Sequence, residues 1–159
     1  KNVVSYKKAL SDSEGITTFH LGHYGNAGAS SLKPTINTGL RTIKVNTSTL
    51  DNLLMSLSEI DIIKIDVEGA ELLVLNGAKN ILEKFKPMLI LEFSNENFTG
   101  QFGTTTTDLV EFLKELNYIV FKIKNGEIDT WDKSENYSSW YNVACIHKKK
   151  LTKQMHSDS

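Results

Sequence analysis

The chain has 159 residues, of which 40% are hydrophobic and 23% are charged, and its formal net charge is -1. These values are typical of one globular domain with a hydrophobic core, and they argue against nucleic acid or an anionic membrane surface as a partner. No apolar run approaches the roughly 18 residues of a membrane-spanning helix, and the single cysteine, Cys145, excludes an internal disulfide framework, which fits a cytoplasmic protein with a buried thiol.

The first third of the chain is predicted to be mostly β-structure. Three segments have the composition of strands: residues 2–10, 16–21 and 40–47. A polar turn is expected at residues 11–15, and residues 22–39 are predicted to form a loop because they are rich in glycine and small polar residues. The spacing of His20 and His23 would suit a metal site on a helix. Both histidines lie where a predicted strand meets a loop, so we expect them to be surface histidines without a metal.

The middle of the chain alternates between helices and strands. A helix is expected after Ser48 or Thr49, either of which can act as its N-cap. Residues 60–67 form a β-branched run that suits a buried parallel strand, and a stripe of apolar residues with helical spacing follows it. Gly77 is expected to divide that helix in two, because glycine inside a helix costs about 1 kcal/mol relative to alanine.

The last third is predicted to contain a strand, a helix and a terminal pair of antiparallel strands. The strands are expected over residues 87–93, 118–124 and 140–147. Asp108 and Glu111 resemble a capping box at the start of the helix, and residues 125–126, Asn-Gly, favour a tight turn. Residues 150–159 are expected to be a disordered tail, so the folded domain should span residues 1–149.

Alternating strands and helices from residue 60 onward predict an α/β domain with a parallel sheet. In such sheets, ligands bind beyond the carboxyl ends of the strands. We therefore expect the functional site at that edge of the sheet.

Acidic residues are concentrated at this edge, in the segment DIIKIDVEGAELLVL. Residues two apart in a strand share a face, so Lys64, Asp66 and Glu68 are expected on one side, and Glu92 at the end of the next strand should meet them. The structural alternative is a capping role for Glu71 and a fold-specifying ion pair between Lys64 and Asp66. We favour function for the group, because ionisable groups with perturbed pKa values cluster at functional sites.

Two stretches, IDIIKIDVEGAELLVLNGA and KPMLILEFS, closely resemble the signature region of FkbM-type methyltransferases, which depend on S-adenosylmethionine. The resemblance extends from about Val3 to Ile123, since KKALSDSEG, GASSL and VNTSTLDNLL also resemble parts of that family. It implies a Rossmann-like sheet of seven strands. It also implies methyl transfer to a hydroxyl of a small molecule, a sugar or a glycolipid headgroup.

The resemblance carries specific residue roles. It implies cofactor-binding roles for Ala9, Leu10, Asp12 and Asp66. Together with the pairing argument above, it implies catalytic roles for Lys64, Asp66, Glu68 and Glu92. A carboxylate here can accept the proton of the attacking hydroxyl, or several carboxylates can hold a divalent metal that lowers the pKa of that hydroxyl. The sequence leaves both routes open and assigns no metal ligand.

The chain departs from the family pattern at the cofactor site. The family has a glycine-rich loop after its first strand and an acidic residue at the end of its second strand, and neither occurs here. The chain starts near the family's third strand and without methionine. We therefore expect the carboxyl-terminal portion of a longer methyltransferase, with a sheet that lacks its first two strands. Alone, it should be inactive and bind S-adenosylmethionine weakly or not at all.

Two other functions compete with this interpretation. A non-catalytic binding module on a truncated methyltransferase fold is favoured by the absence of the glycine-rich loop. A hydrolase that uses Asp66, Glu68 or Glu92 as an acid/base pair is disfavoured, because nothing else in the chain resembles such an enzyme.

Overall fold

The structure is a computed structural model, and it describes residues 2–22, 32, 38–93, 102–132 and 141–154. The described residues form eight strands in two sheets, together with five helices. The predicted mixture of strands and helices is therefore confirmed. No helix among these residues is long and apolar enough to cross a membrane.

A small sheet contains the first three strands. These are β1 (Ala9–Leu10), β2 (Gly15–Gly22) and β3 (Thr38–Ser48), arranged in the order β1-β3-β2. β1 is parallel to β3, and β2 is antiparallel to β3. The strand predicted over residues 2–10 is wrong for its first seven residues, because only Ala9 and Leu10 find partners, opposite Thr47 and Ser48. Residues 2–8 are exposed and have no regular structure.

A larger sheet contains the other five strands. These are β4 (Ile62–Ile65), β5 (Met88–Phe93), β6 (Tyr118–Lys124), β7 (Glu127–Thr130) and β8 (Tyr141–His147). Their order is β4-β5-β8-β6-β7, and only β4 and β5 are parallel. The parallel sheet predicted from residue 60 onward is thus confirmed for one pair of strands in this sheet. The terminal antiparallel pair, β6 and β8, is also confirmed. β7 pairs with the other edge of β6, and the sequence did not predict this strand.

The five helices connect and cover these strands. They are α1 (Leu50–Leu54), α2 (Glu71–Asn76), α3 (Lys79–Phe85), α4 (Thr106–Glu115) and α5 (Lys148–Gln154). Thr49 caps α1 by accepting a hydrogen bond from the Asn52 amide. The break at Gly77 is confirmed, and it has a tertiary cause: a β-carbon there would lie 2.2 Å from the carbonyl oxygen of Ser11.

Two predicted chain features differ from the structure. The capping box of α4 joins Thr105 to Asp108, so Asp108 is the third helical residue rather than the cap, and Glu111 lies inside the helix. Where the sequence predicted a disordered tail from residue 150, α5 continues to Gln154, and residues 155–159 lie outside the described residues. The amide of Lys148 at the start of α5 donates to the carbonyl of Asn117, which anchors this helix to the loop before β6.

The hydrophobic core lies between the helices and one face of the larger sheet. It combines helix residues such as Val74, Ile81 and Leu113 with strand residues such as Leu89 and Leu91, all of them completely buried. The thiol of Cys145 belongs to the same core, which confirms the predicted buried cysteine, and burial strongly raises its pKa.

Candidate active site

A cavity of about 980 Å³ lies between the small sheet and the turn that follows β4. Its apolar wall includes Ala9 and Leu10 of β1, Phe19 of β2, and Ile43 and Val45 of β3. Its opposite wall is Asp66, Val67, Glu68 and Ala70. Asp66 and Glu68, which the family resemblance implies to be catalytic, therefore share one cavity with Ala9 and Leu10, which it implies to bind the cofactor.

Two segments that do not pair with each other contribute to the cavity. Continuing the β1–β3 register backward from Ala9 opposite Thr47 would place residues 6–8 beside residues 44–46. These two segments do not pair, and both line the cavity. Residues 6–8, for which the predicted first strand is wrong, therefore belong to the wall of the cavity.

The acidic motif lies in a turn rather than in the strand. The sequence predicts Asp66 and Glu68 on one face of a strand. β4 ends at Ile65, so both residues lie beyond the strand. The backbone reverses at Glu68 and Gly69, whose φ angles are 53° and 94°. Glycine accepts such an angle freely, whereas a glutamate there has to be held by its surroundings. The turn places both Asp66 and Glu68 at the wall of the cavity.

The carboxylate of Glu71 holds this turn. Its Oε1 atom accepts hydrogen bonds from the backbone N–H groups of Gly69, at 3.2 Å, and Val67, at 3.4 Å. Burial raises the pKa of Glu71, and these amide bonds act in the opposite direction. Glu71 is 4% exposed and does not line the cavity. Its contacts are therefore structural, as in the structural alternative considered from the sequence.

Lys64 and Asp66 form an ion pair on the exposed side of β4. The ammonium nitrogen lies 2.5 Å from an oxygen of Asp66, and the two side chains are 58% and 45% exposed. The hydrogen bond to Asp66 raises the pKa of Lys64. The alternation predicted for this strand is confirmed, since Ile65 is buried while Ile62 and Lys64 are exposed. No described residue covers this ion pair enough to bury it, and the charged groups remain in water.

Glu92 lies near the end of β5, beside this acidic group. Burial raises the pKa of Glu92, and the charges of Asp66 and Glu68 raise it further, while Lys64 acts against them. The pKa of Glu68 is likewise raised, first by burial and then by Asp66 and Glu71. Glu92 and Lys64 do not line the cavity itself. They are electrostatic neighbours of Asp66 and Glu68 at its margin.

The remaining candidates are dispersed. Asp12 is absent from the cavity wall, and its carboxylate accepts hydrogen bonds from the hydroxyls of Ser11 and Ser13 in the turn after β1. His20 lies on β2, and His23 lies outside the described residues. In the part of the chain that the structure describes, no group of three or more histidine, cysteine, aspartate or glutamate side chains is close enough to hold a metal ion.

Sequence reasoning missed the half of the cavity that β2 and β3 supply. Phe19, Ile43 and Lys44 are distant in sequence from the acidic motif and belong to no motif. Their only signal was the strand pattern around them, which does not reveal which edge of the sheet remains free. The side chain of Lys44 is held by a 2.8 Å hydrogen bond to the hydroxyl of Thr18 on the neighbouring strand.

The family model that matches the chain is that of the methyltransferase FkbM domain, over residues 2–120. The chain belongs to this family. The matched region includes β1 to β5 and every candidate residue from Ala9 to Glu92. β8 lies between β5 and β6 in the larger sheet, but its residues come after the matched region in the sequence. The assignment of the acidic motif to the FkbM domain is thus confirmed at the level of the family.

One solved structure similar to this FkbM domain is the methyltransferase FkbM from Methylobacillus flagellatus KT. The two sequences are 18% identical, with a TM-score of 0.41 over 65% of this chain and 24% of that one. The chain therefore spans about a quarter of the length of that protein. No curated protein matches the chain.

Proposed function

We propose that the protein containing this FkbM domain transfers a methyl group from S-adenosylmethionine to a hydroxyl of a small molecule, such as a sugar or a glycolipid headgroup. One observation carries the proposal. Asp66 and Glu68 share a cavity with Ala9 and Leu10, and all four residues lie within the region that matches the family. The cavity thus combines an apolar surface with two carboxylates, which this chemistry requires, and lysine side chains also line it.

The residues of the cavity fit part of S-adenosylmethionine. A volume of about 980 Å³ is at the upper end of the range for small-molecule sites, roughly 300–1,000 Å³. Ala9 and Leu10 offer an apolar surface to the adenine, and Asp66 offers a carboxylate to ribose hydroxyls or to a cationic sulfonium. When bound, the cofactor supplies an electrophilic methyl group. Asp12 shapes the adjoining turn without lining the cavity.

Glu68 is the residue we propose as proton acceptor for the substrate hydroxyl. It lines the cavity, and its pKa is raised by burial and by the charges of Asp66 and Glu71, which makes it a stronger base than an ordinary carboxylate. Glu92 stands at the margin, where it can bind the substrate. Lys64 supplies the positive charge that balances these carboxylates through its contact with Asp66.

Turnover of labelled S-adenosylmethionine by the protein of the complete gene tests these roles. We expect Glu68→Gln to lower kcat by roughly 100-fold or more, the range typical of losing a general base. Asp66→Asn should weaken both cofactor binding and kcat. Glu111→Gln, on the exposed side of α4, is the matched control and should leave turnover unchanged. Undiminished turnover in the Glu68 or Asp66 variant would remove that residue from the site.

Calorimetry tests the expectation for the 159 residues alone. The sequence has no glycine-rich cofactor loop of the family's type, so the proposed Rossmann-like sheet is incomplete here, and we expect weak or undetectable binding of S-adenosylmethionine. Tight binding by these residues alone would contradict this.

A non-catalytic binding module is the second candidate, and the absence of the same loop favours it. The coding sequence upstream of the Lys1 codon distinguishes the two functions. A strand and a glycine-rich loop in the same reading frame would support the enzyme, and a stop codon immediately upstream would support the module.

A further inference from the structure

The turn after β4 presents several backbone N–H groups to one point. The amides of Val67 and Gly69 both donate to Oε1 of Glu71, and the backbone amide of Glu71 also stabilises the carboxylate. Successive amides that converge in this way form a concave site for an anion. In this protein a side chain of the same motif fills that site.

The conformation of Glu68 depends on these contacts. Glu68 has a φ of 53°, a region that non-glycine residues seldom occupy, and it lies between the two residues whose amides Glu71 binds. A strained residue at a functional site persists only where its surroundings hold it. The hydrogen bonds on either side of Glu68 supply that constraint, and Glu68 itself lines the cavity.

A capping role alone does not account for the position of Glu71. Its carboxylate is 4% exposed, although a carboxylate that merely favours a helix start can remain in water. Burying it is unfavourable, as the upward shift of its pKa shows. The amide bonds compensate for this cost only as long as the turn keeps its shape. The side chain and the turn therefore stabilise each other.

We propose that Glu71 is a positioning residue, whose buried carboxylate fixes the turn at Val67 and Gly69 and thereby holds Glu68 at the wall of the cavity. The geometric part of this inference concerns the chain alone. Its catalytic consequence rests on the proposed function, in which Glu68 accepts a proton. Glu71 itself touches neither substrate nor cofactor.

Amide hydrogen exchange in the 159-residue chain tests the geometric part. In Glu71→Ala we expect exchange at Gly69 to accelerate roughly tenfold or more, because a hydrogen bond to a charged acceptor is lost, while exchange in the core of α2, at Leu75, changes less. Glu111→Ala, at an exposed position of α4, is the matched control. Unchanged exchange at Gly69 in a folded variant would overturn the proposal.

Glu71→Gln covers the case in which the alanine variant does not fold, because glutamine preserves the shape and one acceptor oxygen. Carbon-13 titration of the Glu68 carboxyl then measures how strongly the charge of Glu71 acts on Glu68. Asp66 and Glu71 both raise the pKa of Glu68, and Glu92 and Lys64 lie nearby, so removing the charge of Glu71 alone should lower that pKa. An unchanged titration midpoint would overturn the proposed coupling.

Turnover by the protein of the complete gene separates this inference from the proposed function. Glu71→Gln should lower kcat more than it raises the KM for S-adenosylmethionine, and its effect should largely disappear in a Glu68→Gln background. If exchange at Gly69 accelerates in the Glu71 variants but turnover does not change, Glu71 holds the turn and the catalytic role of Glu68 is refuted. If turnover falls equally in both backgrounds, Glu71 acts independently of Glu68 and the positioning role is refuted.

Discussion

The ammonium nitrogen of Lys64 lies 2.5 Å from a carboxylate oxygen of Asp66, on a face of β4 that remains open to water. Both side chains keep about half of their exposure, 58% and 45%. The charges of Lys64 and Asp66 are therefore not buried. Lys64 lies on the outer face of a strand whose other face, at Ile65, packs into the core.

Lys64→Met should have little effect on stability, since exposed ion pairs are screened by water and salt. The hydrogen bond to Asp66 raises the pKa of Lys64 above its ordinary value, so the small contribution of Lys64 to stability is present near pH 7 and is lost as the pH rises through the folded pKa. Thermal unfolding near pH 7 measures the change. Leu91→Ala in the core should cost about 2–5 kcal/mol and provides the contrast. A comparable loss in Lys64→Met would contradict the exposure of the pair.

Glu92→Gln should stabilise the protein near pH 7 and have little effect near pH 4. Burial and the charges of Asp66 and Glu68 raise the pKa of Glu92, so the folded state binds more protons than the unfolded state. The free energy of unfolding then falls as the pH rises from the unfolded pKa through the folded one. Urea denaturation at both pH values tests this, with Glu115→Gln at an exposed position as the control. A loss of stability near pH 7 would mean that Glu92 makes a favourable contact when ionised.

Gly77→Ala should destabilise the protein by about 1–3 kcal/mol, the usual range for an overpacked site. The new β-carbon would lie 2.2 Å from the carbonyl oxygen of Ser11 and 3.2 Å from the β-carbon of Thr49, so the backbone must move. Urea denaturation measures the loss. Gly15→Ala is the matched control, because its nearest neighbour would be Thr47 Oγ1 at 3.7 Å, an ordinary contact. Equal stability of the two variants would show that Ser11 is not packed against Gly77.

Thr105→Ala should cost about 1 kcal/mol, the typical value for an N-cap. The hydroxyl of Thr105 accepts a hydrogen bond from the amide of Asp108, at 3.2 Å, and the carboxylate of Asp108 accepts one from the amide of Thr105, at 2.7 Å. Thr105→Ser should retain most of the stability because it retains the hydroxyl. Glu111→Ala tests the capping box that the sequence predicts from Asp108 and Glu111. A larger loss of stability in Glu111→Ala than in Thr105→Ala would support that prediction.

Much of the local structure follows from short-range patterns. The turn at residues 125–126 is one example, because Asn125 and Gly126 adopt the positive φ angles, 53° and 81°, that a tight hairpin requires. The alternation along β4 is another, since a period of two places Ile65 and Lys64 on opposite faces whatever lies beside them. The assignment of the acidic motif to the FkbM family follows from consecutive residues.

The tertiary structure decided which segments meet. Whether residues 6–8 pair with β3 depends on contacts across about forty residues, and no local pattern encodes it, so the part of the cavity wall that these residues form was not predictable. The cap of α4 is an exception, because the hydrogen bonds that place it at Thr105 are local bonds with Asp108. The role of Glu71 was equally hidden, because a glutamate at a helix start looks the same whether its carboxylate stays in water or turns back to bind the amide of Gly69. Sequence patterns determine the faces of elements because they repeat within one element, whereas contacts between elements depend on the burial of the whole chain.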